Sequence, residues 1–169
     1  MFKSFTSFIV SLLVSTAAYA APVLHCDIGN GHKITIIPLR TDPDIYSFHM
    51  KLDGRNTLAF EPLDGQDYVQ GEIVLAVCKK QTYTLVVDYG PPYLKGFTLR
   101  SNPATHKIER IDFAEKRVPV LLVNKDDTFK VVMPNGDSSP NSRYIVYTAG
   151  KELPDHSNDL PAGPYIKLK

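Results

Sequence analysis

The feature that most limits the fold is the spacing of short β-prone runs. "VLHCDI", "KITIIPL", "IYSFHMKL", "TLAFEPL", "GEIVLAVC", "TYTLVVDY", "GFTLRS", "KIERIDF", "VPVLLV", "TFKVVM" and "RYIVYT" succeed one another from Val23 to Thr148, each rich in β-branched or aromatic residues. Turn residues separate them, and no stretch carries the apolar stripe of period 3.6 that an amphipathic helix needs. The 13 prolines and 10 glycines fall mostly between the runs, where proline breaks no central ladder. The expectation is an all-β chain. A single antiparallel meander of about 8–11 short strands should close into a barrel or split into a sandwich, because a flat open sheet of that size leaves long edges.

Side-chain parity gives each hairpin an expected register. In "VLHCDIGNGHKITI" the three-residue loop Gly29-Asn30-Gly31, with Gly31 left-handed, pairs Ile28 with His32 and Cys26 with Ile34 and turns His25 and Asp27 to solvent. In "YSFHMKLDGRNTLAF" an odd loop sets Met50 against Leu58 and Phe48 against Phe60. In "EIVLAVCKKQTYTLVV" a loop from Lys79 to Gln81 aligns Ile73, Leu75 and Val77 with Tyr83, Leu85 and Val87. Cys78 then shares the opposite face with Val74 and Ala76. That strand is apolar on both sides and reads as central, but its cysteine points away from the face that Cys26 occupies.

The chain opens with an export pattern. Lys3 precedes the apolar run from Phe8 to Val14, and Ala18-Tyr19-Ala20 places small residues at the minus-three and minus-one positions of a signal-peptidase cut. The run is too short to span a bilayer. The expectation is a signal peptide over residues 1–20 and one mature all-β domain over 21–169, with an irregular proline-rich segment near 148–164. The product is periplasmic or secreted. His25 stands before Cys26 where a lipoprotein carries a small residue, so Cys26 is not a lipid anchor. Membrane insertion after cleavage is not expected: Lys51, Arg100, Glu109 and Lys130 lie within the runs, aromatic girdles are lacking, and the chain ends Lys167-Leu168-Lys169.

Loss of Lys3 leaves Lys and Arg equal in number to the 18 acidic residues. A neutral chain without a basic run does not suit nucleic acid or an anionic membrane surface. Two cysteines, Cys26 and Cys78, in an oxidising compartment imply one bridge. Closing a loop of roughly fifty residues, it constrains the unfolded chain by roughly 4 kcal/mol. A metal set of His25, Cys26, Asp27 and His32 is the weaker use of Cys26, since it lacks a C-x-x-C companion.

Catalytic patterns are missing from the sequence. There is no G-x-S-x-G elbow, Walker loop, G-x-G-x-x-G, H-E-x-x-H or C-x-x-C. The five histidines, His25, His32, His49, His106 and His156, are scattered. "NKDDTFKVVMPNGDSS" lacks calcium-loop spacing and reads as two hairpin turns, Asn124 to Asp127 and Asn135 to Ser138. No catalytic residue, metal ligand or cofactor is assigned. The loop "DYGPPYLKG" is the one candidate site: Asp88, Tyr89, Pro91, Pro92, Tyr93 and Lys95 present two amphipathic aromatics around a stiff diproline. Its bland alternative is a hairpin whose tyrosines pack on their own sheet.

The stretch "HCDIGNGHKITI", residues 25–36, resembles the opening of the periplasmic C-type lysozyme inhibitors. The Ser-Gly-x-x-Tyr recognition loop of those proteins has no counterpart here, so no residue role follows from the likeness. Two function classes remain. The first is a non-enzymatic binding protein of the cell envelope, an inhibitor or immunity-type protein that blocks a hydrolase or toxin by loop insertion. The second is a small-ligand carrier or hydrolase using a barrel mouth or inter-sheet cleft.

Overall fold

The computed structural model describes residues 24–42, 45–60, 70–90, 92–125, 127–136 and 141–169. The expected signal peptide lies outside the described residues. The described chain is all-β, with antiparallel pairing throughout. Its strands are β1 (His25–Asp27), β2 (Lys33–Asp42), β3 (Ile45–Leu52), β4 (Arg55–Leu58), β5 (Gln70–Lys79), β6 (Thr82–Asp88) and β7 (Leu94–Ser101). They continue with β8 (Ile108–Glu115), β9 (Leu121–Lys125), β10 (Thr128–Pro134), β11 (Tyr144–Thr148), β12 (Asp155–Ser157) and β13 (Tyr165–Lys167).

The strands form two sheets where the sequence suggested one meander. The first runs β1-β2-β3-β5-β6-β7-β8, with β4 also paired to β3; the second runs β12-β11-β10-β9-β13. The first sheet curls until β1 returns to β5 and β7. Cys26 and Cys78 are bonded there with their Cα atoms 5.6 Å apart, and the Ser101 amide donates to the Ile28 carbonyl at 2.9 Å. Across the remaining gap, Arg110 donates to the Ala59 carbonyl at 2.8 Å and lies over the Phe97 ring. The result is a curled, incompletely closed sheet with a second sheet packed on its outside. The inside of the curl holds one core, built on Cys26, Ile34, Ile36, Phe48, Met50, Tyr83, Leu85 and Phe97. Its outer face packs Val86, Ile111 and Phe113 against Leu122, Phe129, Val131 and Ile145 of the second sheet to form another.

The first hairpin has the expected register. Cys26 opposes Ile34, the Ile28 amide donates to His32, and Gly31 takes φ +81°. His25 and Asp27 are exposed. The second hairpin does not follow the odd loop: Leu52 pairs with Arg55, so Met50 opposes Thr57 and Leu58 opposes His49. Asp53 and Gly54 both take positive φ, the requirement of a two-residue type I′ turn that Asp-Gly meets. Phe60 still meets Phe48, edge-on at 6.4 Å, because the chain leaves the ladder after β4.

The third hairpin corrects the expected facing of Cys78. Lys80 and Gln81 form a two-residue turn, both at positive φ, which pairs Cys78 with Tyr83 and Ala76 with Leu85. The register then slips at Val74, so that Ile73 opposes Val87 while Leu75 opposes Val86. Such a bulge switches which residues face inward. Ile73, Ala76 and Cys78 thus all reach the inner core, while Leu75 and Val77 join the outer one. The strand buried on both faces is β6, from Thr82 to Val87, and β5 is only half-buried.

The proline-rich segment lies over the outer face of the second sheet. Val132 and Val146, which point away from the inter-sheet core, are nonetheless buried. Asp155, Ser157, Leu160 and Pro161 border a cavity above Val146, and a Cβ on Gly163 would come within 2.7 Å of Val123. The segment includes β12, a short strand where irregular chain was expected.

The curl brings the β1–β2, β3–β4, β5–β6 and β7–β8 connections to one end: Gly29 lies beside Gln81, Cys26 is bonded to Cys78, and polar contacts add to these. The Asn30 amide donates to Ser101 and to the Asn102 carbonyl. Asn102 donates to Glu109, which accepts from Arg100. Arg100 is 1% exposed, donates to Asn124 at 2.6 Å and the Lys125 carbonyl at 2.9 Å, and lies over Phe129. It joins the two sheets. At the same end His32 Nδ1 meets Asp53 at 2.6 Å, and the other Asp53 oxygen accepts from the Lys33 amide. The hydrogen bond to Asp53 is the main reason that the His32 pKa stands above 6.5. Its counterpart holds Asp53 below 3.8.

Two outcomes follow from this end. Arg100→Met leaves Glu109 and Asn124 without their partner and should cost about 3 kcal/mol or more in urea unfolding, the scale for breaking a buried pair; a loss under about 1 kcal/mol would contradict the role given to Arg100. For His32, a raised pKa means stability that is full below 6.5 and lost as pH rises through the folded value. For Asp53, a lowered pKa means stability present above 3.8 and lost as pH falls through the folded value. The pair therefore contributes most between those two ordinary values. In an NMR titration, the His32 ring should titrate above 6.5 and return toward it in Asp53→Asn; equal midpoints in both proteins would refute the pairing.

Candidate functional site at the open end of the curled sheet

The opposite end carries the β6–β7 connection, and it is built differently. The candidate loop is shorter than the sequence suggested. Leu94, Lys95 and Gly96 belong to β7, with Leu94 paired to Asp88 and Lys95 to Val87, so the connection is residues 89–93. Asp88 fixes its start by accepting the Gly90 amide at 3.0 Å. Gly90 takes φ +130°, which a Cβ would oppose.

The two tyrosines part company. Tyr89 is half-buried and packs on the inner core, as the bland reading of the loop had it. Tyr93 is 44% exposed, and Pro92 beside it is exposed. Pro91 lies outside the described residues. Lys95 is half-buried within β7. The structure brings Asp88, Tyr89, Pro92, Tyr93 and Lys95 to one hairpin, but only Pro92 and Tyr93 form its tip.

A residue that sequence reasoning missed seats this loop. Gly71 of β5 lies so close that a Cβ there would stand 2.0 Å from the Asp88 carbonyl and 3.1 Å from Tyr89 Cα. Only glycine admits that approach. Its signal was a glycine inside a strand run, which often marks another backbone in close contact. Gly96 has a comparable reason: a Cβ would enter the Phe113 ring at 2.4 Å.

Beside the loop base a pocket of ≈ 320 Å³ opens, lined by Pro38, Tyr46, Phe48, Glu72 and Ile73. Register assembles it from three strands. Pro38 opposes Phe48 and Arg40 opposes Tyr46, Tyr46 opposes Gly71, and Ile73 opposes Val87. Phe48 is its rigid inner wall, the first ring of a series: Phe48 meets Phe60 at 6.4 Å, Phe60 meets Phe97 at 5.4 Å, and Phe97 meets Tyr83 at 6.4 Å. Glu72 stands opposite Asp88 across β5 and β6. Like charges so placed repel, and the Glu72 carboxylate makes no ion pair or hydrogen bond with another described residue.

The scattered histidines do not converge on this end. His25 is on β1, His32 and His106 are in loops at the polar end, His49 is on β3 opposite Ile37 and Leu58, and His156 is on β12. Cys26 is committed to its disulfide, which removes the thiolate from the metal set considered with it. Comparison of the chain with models of protein families, with curated proteins and with solved structures finds no match.

Proposed function

We propose that this chain is an exported, non-enzymatic binding protein of the cell envelope, of the inhibitor or immunity type. It presents the Tyr89–Tyr93 connection to a protein partner, a hydrolase or toxin whose cleft receives the loop. The observation that carries this reading is Tyr93, a large aromatic exposed at the tip of a loop whose base is fixed by Asp88, Tyr89 and Gly71. A fixed base means little ordering entropy is lost on association, and a tyrosine offers wide contact area for two torsions. The apolar pocket beside it favours a second reading, a small-ligand carrier that uses the same end.

The loop reading is tested by separating its two tyrosines. Mature protein used as bait in envelope extract should retain one stoichiometric protein partner, and Tyr93→Ala should weaken that complex by about 2 kcal/mol or more with the Tm nearly unchanged. Tyr89→Ala should lower the Tm, because it removes a ring from the inner core. If Tyr93→Ala leaves affinity intact, recognition does not use this tip.

A further inference from the structure

We infer that the pocket lined by Pro38, Tyr46, Phe48, Glu72 and Ile73 is a binding site for a small aromatic amine. This rests on the carrier reading and does not depend on the loop's protein partner. Four properties of the pocket select that chemistry.

Its volume, ≈ 320 Å³, is at the small end of the range for ligand sites, about 300–1,000 Å³, which suits one or two rings and not a long chain. Its walls are pre-formed. Pro38, Tyr46 and Ile73 are paired residues of β2, β3 and β5, and Phe48 is held by the ring of Phe60 behind it. The apolar lining takes a flat hydrophobic body, and two aromatic side chains two residues apart on β3 offer it stacking or edge-on contact.

The fourth property is the charge at the mouth. Glu72 lines the pocket and has Asp88 as its cross-strand neighbour. One Asp88 oxygen is occupied by the Gly90 amide, whereas the Glu72 carboxylate is unpaired among the described residues. An ionised carboxylate only accepts hydrogen bonds. A ligand ammonium answers that acceptor, relieves the repulsion between the two carboxylates, and is attracted to the face of an aromatic ring. A ligand carboxylate would add a third negative charge at the same place. The Tyr46 hydroxyl, which has no partner among the described residues, offers a second polar contact.

The test uses 1-naphthylmethylamine, with 1-naphthalenemethanol and 1-naphthylacetate as the neutral and anionic versions of the same body. The chain has no tryptophan, so naphthalene emission reports binding directly, and NMR shifts of Tyr46, Phe48 and Ile73 locate it. The amine should bind at least tenfold more tightly than the alcohol, and the acetate more weakly than either. Glu72→Gln should remove the amine's advantage while retaining the alcohol's affinity. Ile73→Phe, which fills the pocket, should abolish all three, with its Tm measured to show that it is folded. Equal binding of amine and alcohol would overturn the amine assignment and leave the carrier reading standing. No shift at Tyr46, Phe48 or Ile73 with any of the three at millimolar concentration would overturn both. Amine binding unaffected by Ile73→Phe would place the site elsewhere and also refute the inference.

Discussion

Strand β6 is buried on both faces, and the rest of the molecule is arranged around that fact. Tyr83, Leu85 and Val87 point into the curl, and Val86 points into the interface between the sheets. Thr84 and Thr98, which would leave polar atoms stranded there, bond each other at 3.0 Å. A strand in that position must have partners on both edges and covers on both sides. β5 and β7 supply the edges. The curl closed by β1 covers one side and the second sheet the other. The disulfide, the Val74 bulge and Arg100 each secure one of these covers.

The two ends of the curl then differ in kind. At one, a hydrogen-bonded series runs from Asn30 through Asn102, Glu109 and Arg100 to Asn124. Buried polar groups are costly unless paired, so this series ties the β1–β2 and β7–β8 connections to the end of β9. At the other end β3 and β5 pair, among the described residues, through Tyr46–Gly71 and Ser47–Gln70. The apolar pocket lies at that end, with the exposed Tyr93 loop beside it. A hydrogen-bonded end and a concave apolar one suit the binding role proposed above.

Strand identity was legible in the sequence because period-two runs and turn residues are local properties. The Gly29-Asn30-Gly31 hairpin was legible to the residue, since glycine placement dictates its loop. The next two registers were misread for different reasons. Asp53-Gly54 carries a clear two-residue turn signal, but keeping large side chains on one face argued for an odd loop. Lys80-Gln81 carries no turn signal, and the bulge at Val74 leaves no mark in a uniformly apolar run. In the sequence Arg100 counted only as a charge within a strand run; Glu109 faces it across β7 and β8, but Asn124 and Lys125 become its neighbours only when the two sheets meet. The tip of the candidate loop was legible as an aromatic beside prolines. The pocket was not: Pro38, Tyr46, Phe48 and Ile73 come from three strands and share no motif.

The shared position of β6 is tested most directly by native-state hydrogen exchange. A strand that both cores require can open only when the whole domain does. The amides of Tyr83 to Val87 should therefore be the slowest in the chain, with opening free energies equal to that of global unfolding in denaturant. If those amides exchange through a cheaper local opening while β9 and β10 stay protected, the two cores are separate units and β6 does not join them.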